Sequence, residues 1–254
     1  MRPPSERLHA VLLEAPPPEY YLIGDVHGCL AEFLSLLSLL ASRSSPPLPP
    51  EELHRRLVLC GDLVNKGPSS LAVLRYCRRS GILCVRGNHD DAALRARGRG
   101  RGARGERYAW VGGMSAEDEA WLRSLPCTIR IPARGTLVVH AGLVPGRRLG
   151  EATKHEMTTV REVVRRGDGS YASVQHPREG GGEGRAWAEL YGGEHGRVVF
   201  GHDARRGLQR TEHAVGLDTG CVYGGRLSCL VLPGDEVVSV AAEKAWAEKG
   251  EGRK

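Results

Sequence analysis

The sequence predicts an α/β fold, and three observations carry the prediction. Short apolar runs of strand length alternate with longer amphipathic stretches of helix length. Five of the strand-like runs stop where glycine is joined to Asp, Asn or His. The chain has 254 residues, long for one small core and short for two roomy domains, which favours one α/β domain or a compact pair.

Each element follows from local pattern. Tyr20-Tyr21-Leu22-Ile23 reads as a buried strand that stops at Gly24-Asp25. Leu30 to Leu40 places Phe33, Leu36, Leu37 and Leu40 at helical spacing as a core stripe, and the Ser/Pro stretch Ser42 to Pro50 reads as a loop. Leu57 to Cys60 is a second strand, closed by Gly61-Asp62. Ser70 to Arg79 is a helix with Ser69 or Ser70 as cap and Gly81 as stop. Ile82 to Val85 is a third strand, ending at Arg86-Gly87-Asn88-His89. Arg95 to Arg107 is Arg/Gly-rich low complexity, Trp110 to Leu125 is expected to be helical, and a strand is expected after Pro126. Thr136 to Val139 and Val198 to Phe200 are strands ending at His140-Ala141-Gly142 and Gly201-His202-Asp203, with a long polar loop from Gly167 to Gly184 between them. Ala214 to Leu217, Leu227 to Leu232 and Val237 to Ala241 are spaced like antiparallel strands, with turns at Gly224-Gly225 and Pro233-Gly234. Lys244 to Lys254 reads as a fraying charged tail.

Composition narrows the function classes. The formal net charge of +6 suits an anionic partner without singling one out. No apolar run reaches the ~18 residues that a membrane span needs, and the first residues lack the apolar core of a secretory signal, so a cytoplasmic location is expected. The seven cysteines are scattered and include no CxxC pair, which argues for reduced buried thiols over a zinc ribbon or a disulfide framework.

Taken singly, the ligand-type residues are ordinary. A Gly-Asp after a strand is common turn chemistry, a lone strand-end His is more often structural, and Asn or Asp favours helix caps. Their conjunction is what matters: Asp25, His27, Asp62, Asn88, His89, His140 and His202 all lie at strand ends. Open α/β sheets bind ligands beyond the carboxyl ends of their strands, so residues far apart in sequence can meet there. Mixed oxygen and nitrogen ligands suit manganese, iron or zinc better than calcium. A carboxylate can bridge two such ions, and two ions ~3.5–4 Å apart can clamp a phosphoryl group and activate water.

Gly24-Asp25-Val26-His27-Gly28, Gly61-Asp62-Leu63-Val64-Asn65-Lys66-Gly67-Pro68 and Gly87-Asn88-His89-Asp90 resemble the three signature blocks of calcineurin-like metallophosphoesterases. Val138 to Pro145, Gly201 to Ala204 and Gly216 to Leu227 resemble the later blocks, and the best match is the ApaH-like phosphatase branch, with Lys66 in place of Arg. The resemblance spans roughly residues 20 to 232. It implies a sandwich of two mixed β-sheets flanked by helices, in a single domain over 1–254 with a core of about 20–242 and an insertion at about 91–125.

It also implies roles. Asp25, His27 and Asp62 would hold one divalent ion, and Asp62, Asn88, His140 and His202 a second, with manganese the first choice in vitro among manganese, iron and zinc. His89 would protonate the leaving oxygen, and Lys66 and Arg86 would hold phosphate oxygens, while a hydroxide bridging the metals attacks phosphorus. Dinucleoside polyphosphates, mRNA caps and inorganic polyphosphate are the implied substrates. The alternatives are a serine/threonine phosphoprotein phosphatase and a non-catalytic nucleic-acid-binding module. Against the first stands Asn65, where phosphoprotein phosphatases carry an Asp that orients the catalytic histidine; Asp90 or water would have to orient His89 here. The Arg95–Arg107 stretch offers contact with RNA or another polyanion, or is simply a solvated loop. Arg205 and Arg206 could reach distal phosphates; Tyr223 and Trp187 could stack on a base, though core or rim packing is the commoner role of such rings.

Overall fold

A computed structural model describes residues 8–12, 17–99, 105–174 and 183–248. Two sheets face each other. In the first, β2 (Tyr20–Ile23), β3 (Leu57–Leu59) and β4 (Leu83–Cys84) run parallel, and β13 (Arg226–Leu232) and β14 (Glu236–Ala241) extend it antiparallel, in the order β14-β13-β2-β3-β4. In the second, β6 (Thr136–Val139), β10 (Arg197–Phe200) and β12 (Ala214–Gly216) run parallel. Here β1 (His9–Val11), β5 (Thr128–Ile131) and β11 (Gln209–Arg210) complete the order β1-β5-β6-β10-β12-β11.

The period-two alternation of strand side chains explains the layering. Leu22, Val58 and Cys60 turn inward to meet Ile129, Val138, Val199 and Val215 between the sheets. Tyr21, Ile23, Leu57 and Leu59 point the other way. They pack under α1 (Leu30–Ala41), α3 (Ser70–Arg79), α4 (Asn88–Gly98) and α5 (Ala116–Ser124). On the outer face of the second sheet, Leu137, Val139 and Phe200 pack against α6 (Lys154–Thr159) and α7 (Trp187–Leu190). This is the helix-flanked sandwich of mixed sheets that the resemblance implies.

Several elements differ from the sequence expectation. The Ser42–Pro50 loop gives way at its last residue to α2 (Pro50–Arg56), whose Pro at the first position, Glu51 and Glu52 in the first turn and His54, Arg55 and Arg56 in the last suit the helix dipole. The expected helix over Trp110 to Leu125 is two pieces, a 3₁₀ helix Glu106–Gly113 and then α5, because the Ser115 hydroxyl accepts the Asp118 N–H at 3.1 Å and restarts the helix. The polar segment from Gly167 to Gly184 is not all loop. A third sheet joins β7 (Glu162–Arg165) to β8 (Tyr171–Val174) and β9 (Arg185–Ala186), while 175–182 lie outside the described residues. The β12 strand pairs parallel with β10 instead of antiparallel with the tail, and β1 was not expected. The start of the Arg/Gly stretch belongs to α4, and 100–104 lie outside the described residues. The start of the charged tail is docked: the Trp246 indole N–H points at the Glu32 carboxylate, 3.4 Å away.

No helix among the described residues is long and apolar enough to cross a membrane. All seven cysteines are free and buried.

Candidate active site

The three parallel strands of each sheet all end at one place. Asp25 follows β2, Asp62 follows β3, Asn88 follows β4, His140 follows β6, His202 follows β10 and Asp218 follows β12. The convergence is therefore built from the strand ends of two sheets packed face to face, not from those of one open sheet. His27, Asp62 and His202 have positive φ (47°, 49° and 68°), so the chain turns sharply as it leaves the strands. Two glycines make the close approach possible. A Cβ on Gly87 would sit 2.1 Å from Asp62 Oδ1, and one on Gly201 would sit 1.9 Å from Asp25 Oδ1.

Hydrogen bonding orients the histidines. His27 Nδ1 lies 3.1 Å from the Val64 carbonyl oxygen, His140 Nδ1 2.8 Å from that of Cys60, and His202 Nε2 3.1 Å from that of Thr159. A carbonyl oxygen only accepts, so those nitrogens carry the ring proton, and the other nitrogen of each ring is a bare lone pair. His140 Nε2 then faces Asn88 Oδ1 at 3.0 Å, His202 Nδ1 at 3.1 Å and Asp62 Oδ1 at 3.5 Å. All four atoms are acceptors, with no hydrogen between them. His27 Nε2 faces Asp62 Oδ2 at 3.4 Å and Asp25 Oδ2 at 3.8 Å, with the Lys66 ammonium donating to it at 2.8 Å. Buried lone pairs repel one another unless a cation sits among them, and the Lys66 ammonium meets that need at His27. Two overlapping groups have their ligand atoms within 4.8 Å of one another: Asp62, His140 and His202, and His27, Asp62 and His89, with Asp62 common to both. A donor set of imidazole, carboxylate and amide oxygen around a shared carboxylate fits a pair of divalent transition ions.

Burial sets the electrostatics. It pushes His140 down to about 4, and moves His27 and His202 well below the ordinary histidine range, so all three are neutral lone-pair donors. Burial raises the Asp62 carboxyl to about 7, and burial with Asp218 and Asp62 nearby raises that of Asp25. Positive charge delivered to this site is therefore stabilising.

The expected residues around the ligands divide. Lys66 lines the pocket, about 220 Å³ in volume, together with His27, Asp62, Asn88, His89, His202, Arg205 and Tyr223. Arg86, expected at the phosphate, is not among the residues that line this pocket. Its side chain is 2% exposed, and its guanidinium faces Asp91 Oδ1 at 3.3 Å and the Arg123 carbonyl, tying α4 to α5. Arg161, which the sequence did not single out, takes that place at the pocket wall, held by the His202 carbonyl oxygen at 3.0 Å. No motif signals it, since it leads into the small third sheet. Asp218 was given no role by the sequence, since Leu217 separates it from Gly216 and breaks the Gly-Asp pattern; it is buried and lines the pocket. Arg206 is drawn away by Asp203 and Glu162, each at 2.6 Å. Trp187 is core, packed on Phe200, with its indole N–H donated to the Ala141 carbonyl at 3.1 Å.

Among the described residues, no carboxylate hydrogen-bonds the His89 ring. Asp90 is fully buried and accepts the main-chain N–H groups of Asp62, Leu63 and Gly87 at 2.8–3.0 Å, so it braces the turns and does not orient His89. Asn65 sits where orientation would come from. The Trp110 indole can only donate, and does so to Asn65 Oδ1 at 2.9 Å; that turns Asn65 Nδ2 toward the His89 carbonyl oxygen at 3.1 Å. Burial, with Lys66 and Arg107 nearby, holds His89 down to about 2.

The cradle yields a direct test. In Gly201→Ala the new methyl must displace the Asp25 carboxylate, so affinity for added manganese should fall about ten- to a hundredfold while the fold persists. Metal titration by calorimetry, with circular dichroism as the control, measures it; an unchanged affinity would remove Asp25 from the ligand set.

A sandwich with neutral histidines and a shared carboxylate at the joint of its sheets defines a metal-dependent phosphoesterase. The chain belongs to the calcineurin-like phosphoesterase family, whose model matches residues 20–206. It is similar to the symmetrical bis(5'-nucleosyl)-tetraphosphatase of Methylobacillus flagellatus, 29% identical and covering 89% of this chain and 96% of that protein. The asymmetrical bis(5'-nucleosyl)-tetraphosphatase PrpE of Anoxybacillus flavithermus is 30% identical over 91% of this chain and 97% of its own length. Among solved structures, one described as a candidate diadenosine tetraphosphatase superposes with a TM-score of 0.78 at 36% identity, covering 93% of this chain and 98% of that one. A serine/threonine phosphatase from Saccharomyces cerevisiae shares the fold alone, with a TM-score of 0.53 at 15% identity.

Proposed function

We propose that this enzyme hydrolyses phosphoanhydrides, with dinucleoside polyphosphates foremost and mRNA caps and inorganic polyphosphate in the same class. The observation that carries the reading is the buried knot of lone pairs from Asp62, Asn88, His140 and His202, bordered by the cations Lys66, Arg161 and Arg205. Asp25, His27, Asp62, Asn88, His140 and His202 would hold two divalent ions, manganese first among manganese, iron and zinc. Bound there, such ions supply Lewis acidity and lower the pKa of water. Lys66 acts as a point charge, and Arg161, with its planar fork, holds phosphate oxygens and offsets charge that builds on them. Hydrolysis breaks one P–O bond: water adds its hydroxyl to phosphorus and its proton ends on the leaving nucleotide. His89, at the pocket wall, handles that proton at the leaving oxygen.

The leaving group supports the anhydride over the phosphoserine reading. His89 is held by an amide and approached by Arg107 Nη2 at 3.4 Å, and among the described residues no carboxylate hydrogen-bonds its ring. A nucleotide leaves readily without strong protonation; a serine alkoxide does not. The substrates in the names of the relatives are of the same class. Contact with RNA through Arg95 to Arg107 belongs to the capped-RNA part of the proposal.

A substrate panel with manganese, zinc, cobalt and magnesium in turn tests it, using diadenosine tetraphosphate, capped RNA, polyphosphate and a phosphopeptide. The anhydrides should exceed the phosphopeptide in kcat/KM by about tenfold or more, equivalent to about 1.4 kcal/mol in the barrier. Capped-RNA cleavage should depend more steeply on salt than that of diadenosine tetraphosphate. Preference for the phosphopeptide would overturn the anhydride reading, and equal salt slopes would remove the RNA contact.

A further inference from the structure

A second cleft of about 690 Å³ adjoins His89. Asn88 and His89 line both cavities, so the two meet at these residues. The rest of its wall comes from two unrelated segments: Arg95, Arg107 and Tyr108 from the insertion, and Lys154 and His155 from the start of α6. Lys154 is paired with Asp91 at 2.9 Å. Among the described residues, neither Arg95 nor Arg107 has an ion-pair partner, and both are exposed. Arg107 Cζ lies 5.7 Å from the Tyr108 ring centroid, and its Nη2 lies 3.4 Å from His89 Nδ1. The first pocket repeats the pairing of a cation with an aromatic ring: Lys66 Nζ is 5.2 Å from the Tyr223 ring centroid.

We infer that this second cleft is the leaving-group subsite and takes a 5'-nucleoside diphosphate or triphosphate moiety, with Arg95, Arg107 and His155 on its phosphates and Tyr108 under its base. The inference rests on the anhydride reading above and assigns the distal half of that substrate. The group that hands a proton to the leaving oxygen must stand between the attacked phosphorus and the departing chain. The pocket that holds most of the candidate ligands and the second cleft meet at His89, so the cleft is the continuation open to the departing chain. Arginine forks match phosphate oxygens, and a base stacks on any aromatic face regardless of sequence. A small aryl phosphate ends at the leaving oxygen and reaches none of these groups. The cleft thus discriminates substrates that continue beyond the scissile bond from those that stop there.

The test uses the manganese-loaded full chain and the double variant Arg95→Ser/His155→Ser, both positions away from the metal ligands. The first readout is the ratio of kcat/KM for diadenosine tetraphosphate to that for p-nitrophenyl phosphate, expected to fall about tenfold or more through KM. The second is inhibition of p-nitrophenyl phosphate hydrolysis by ADP, whose inhibition constant should rise by about the same factor. If diadenosine tetraphosphate is cleaved and both readouts stay within about twofold, the subsite is overturned while the anhydride reading stands. If the wild type cleaves only the aryl phosphate, the anhydride reading falls, and ADP decides alone. Weaker ADP inhibition in the variant then supports the cleft as a nucleotide site; inhibition that is unchanged, or absent in the wild type, overturns it.

Discussion

Asp62→Asn is expected to disable both halves of the centre at once. Its Oδ1 faces His140 Nε2 at 3.5 Å, its Oδ2 faces His27 Nε2 at 3.4 Å, and no other residue belongs to both ligand groups. An amide offers one acceptor oxygen and an NH₂ that presents hydrogens to whatever the second oxygen faced. The change also removes negative charge from a site whose neutral histidines cannot replace it. Metal bound after dialysis should fall from about two ions per chain to below one, and kcat by at least about 10³-fold, since the ions supply several kcal/mol of charge stabilisation. The main-chain N–H of Asp62 still reaches Asp90 at 3.0 Å, so the turn and the fold should survive. Elemental analysis beside circular dichroism separates the two effects. A variant that keeps two ions and its rate would dismiss Asp62 as the bridge.

His89→Asn should do the opposite: lower kcat by about 10²–10⁴-fold and leave metal content intact. The structural contacts of this residue are made by its backbone. Its N–H donates to Asp62 Oδ1 at 2.8 Å and its carbonyl accepts from Asn65 at 3.1 Å, and neither needs the imidazole. Its ring nitrogen, however, lies in the same group as His27 and Asp62, all within 4.8 Å. Metal content therefore decides between two roles. Loss of an ion with the rate would make His89 a ligand; retention of both with a slowed rate makes it the proton donor. The loss should be greater for aryl phosphates with poor leaving groups than for diadenosine tetraphosphate. Full activity with a poor leaving group would dismiss the proton-transfer role.

The convergence of most candidate ligands was legible in one dimension, because the physical requirement is local: an apolar strand stops, the backbone turns sharply, and an Asp, Asn or His is presented. Gly24-Asp25, Gly61-Asp62, Gly87-Asn88 and Gly201-His202 all carry that signature. Asp218 also follows a strand, but Leu217 separates it from Gly216, so the Gly-Asp signature of the other turns is absent there. The strands of the first sheet and helices α1 and α3 were equally plain, since their apolar periodicity reflects one buried face each. Arg86 and Arg161 show where that legibility stops. Arg86 lies two residues before Asn88 and Arg161 lies far from every candidate ligand in sequence, yet the first turns under α4 to Asp91 while the second leans over the pocket from β7's approach.

The sequence by itself determined the α/β class and the candidate strand-end ligands, because strand periodicity and Gly-turn chemistry are written in consecutive residues, and its resemblance to the calcineurin-like blocks carried the reaction class. The tertiary structure alone decided that the ligands come from the parallel strands of two separate sheets, that Trp110 fixes which end of Asn65 meets His89, and that a second cationic cleft adjoins the imidazole. Those facts depend on contacts between residues far apart in the chain, such as Trp110 with Asn65 or His202 with Asp25, and packing of the two sheets is what brings such partners together.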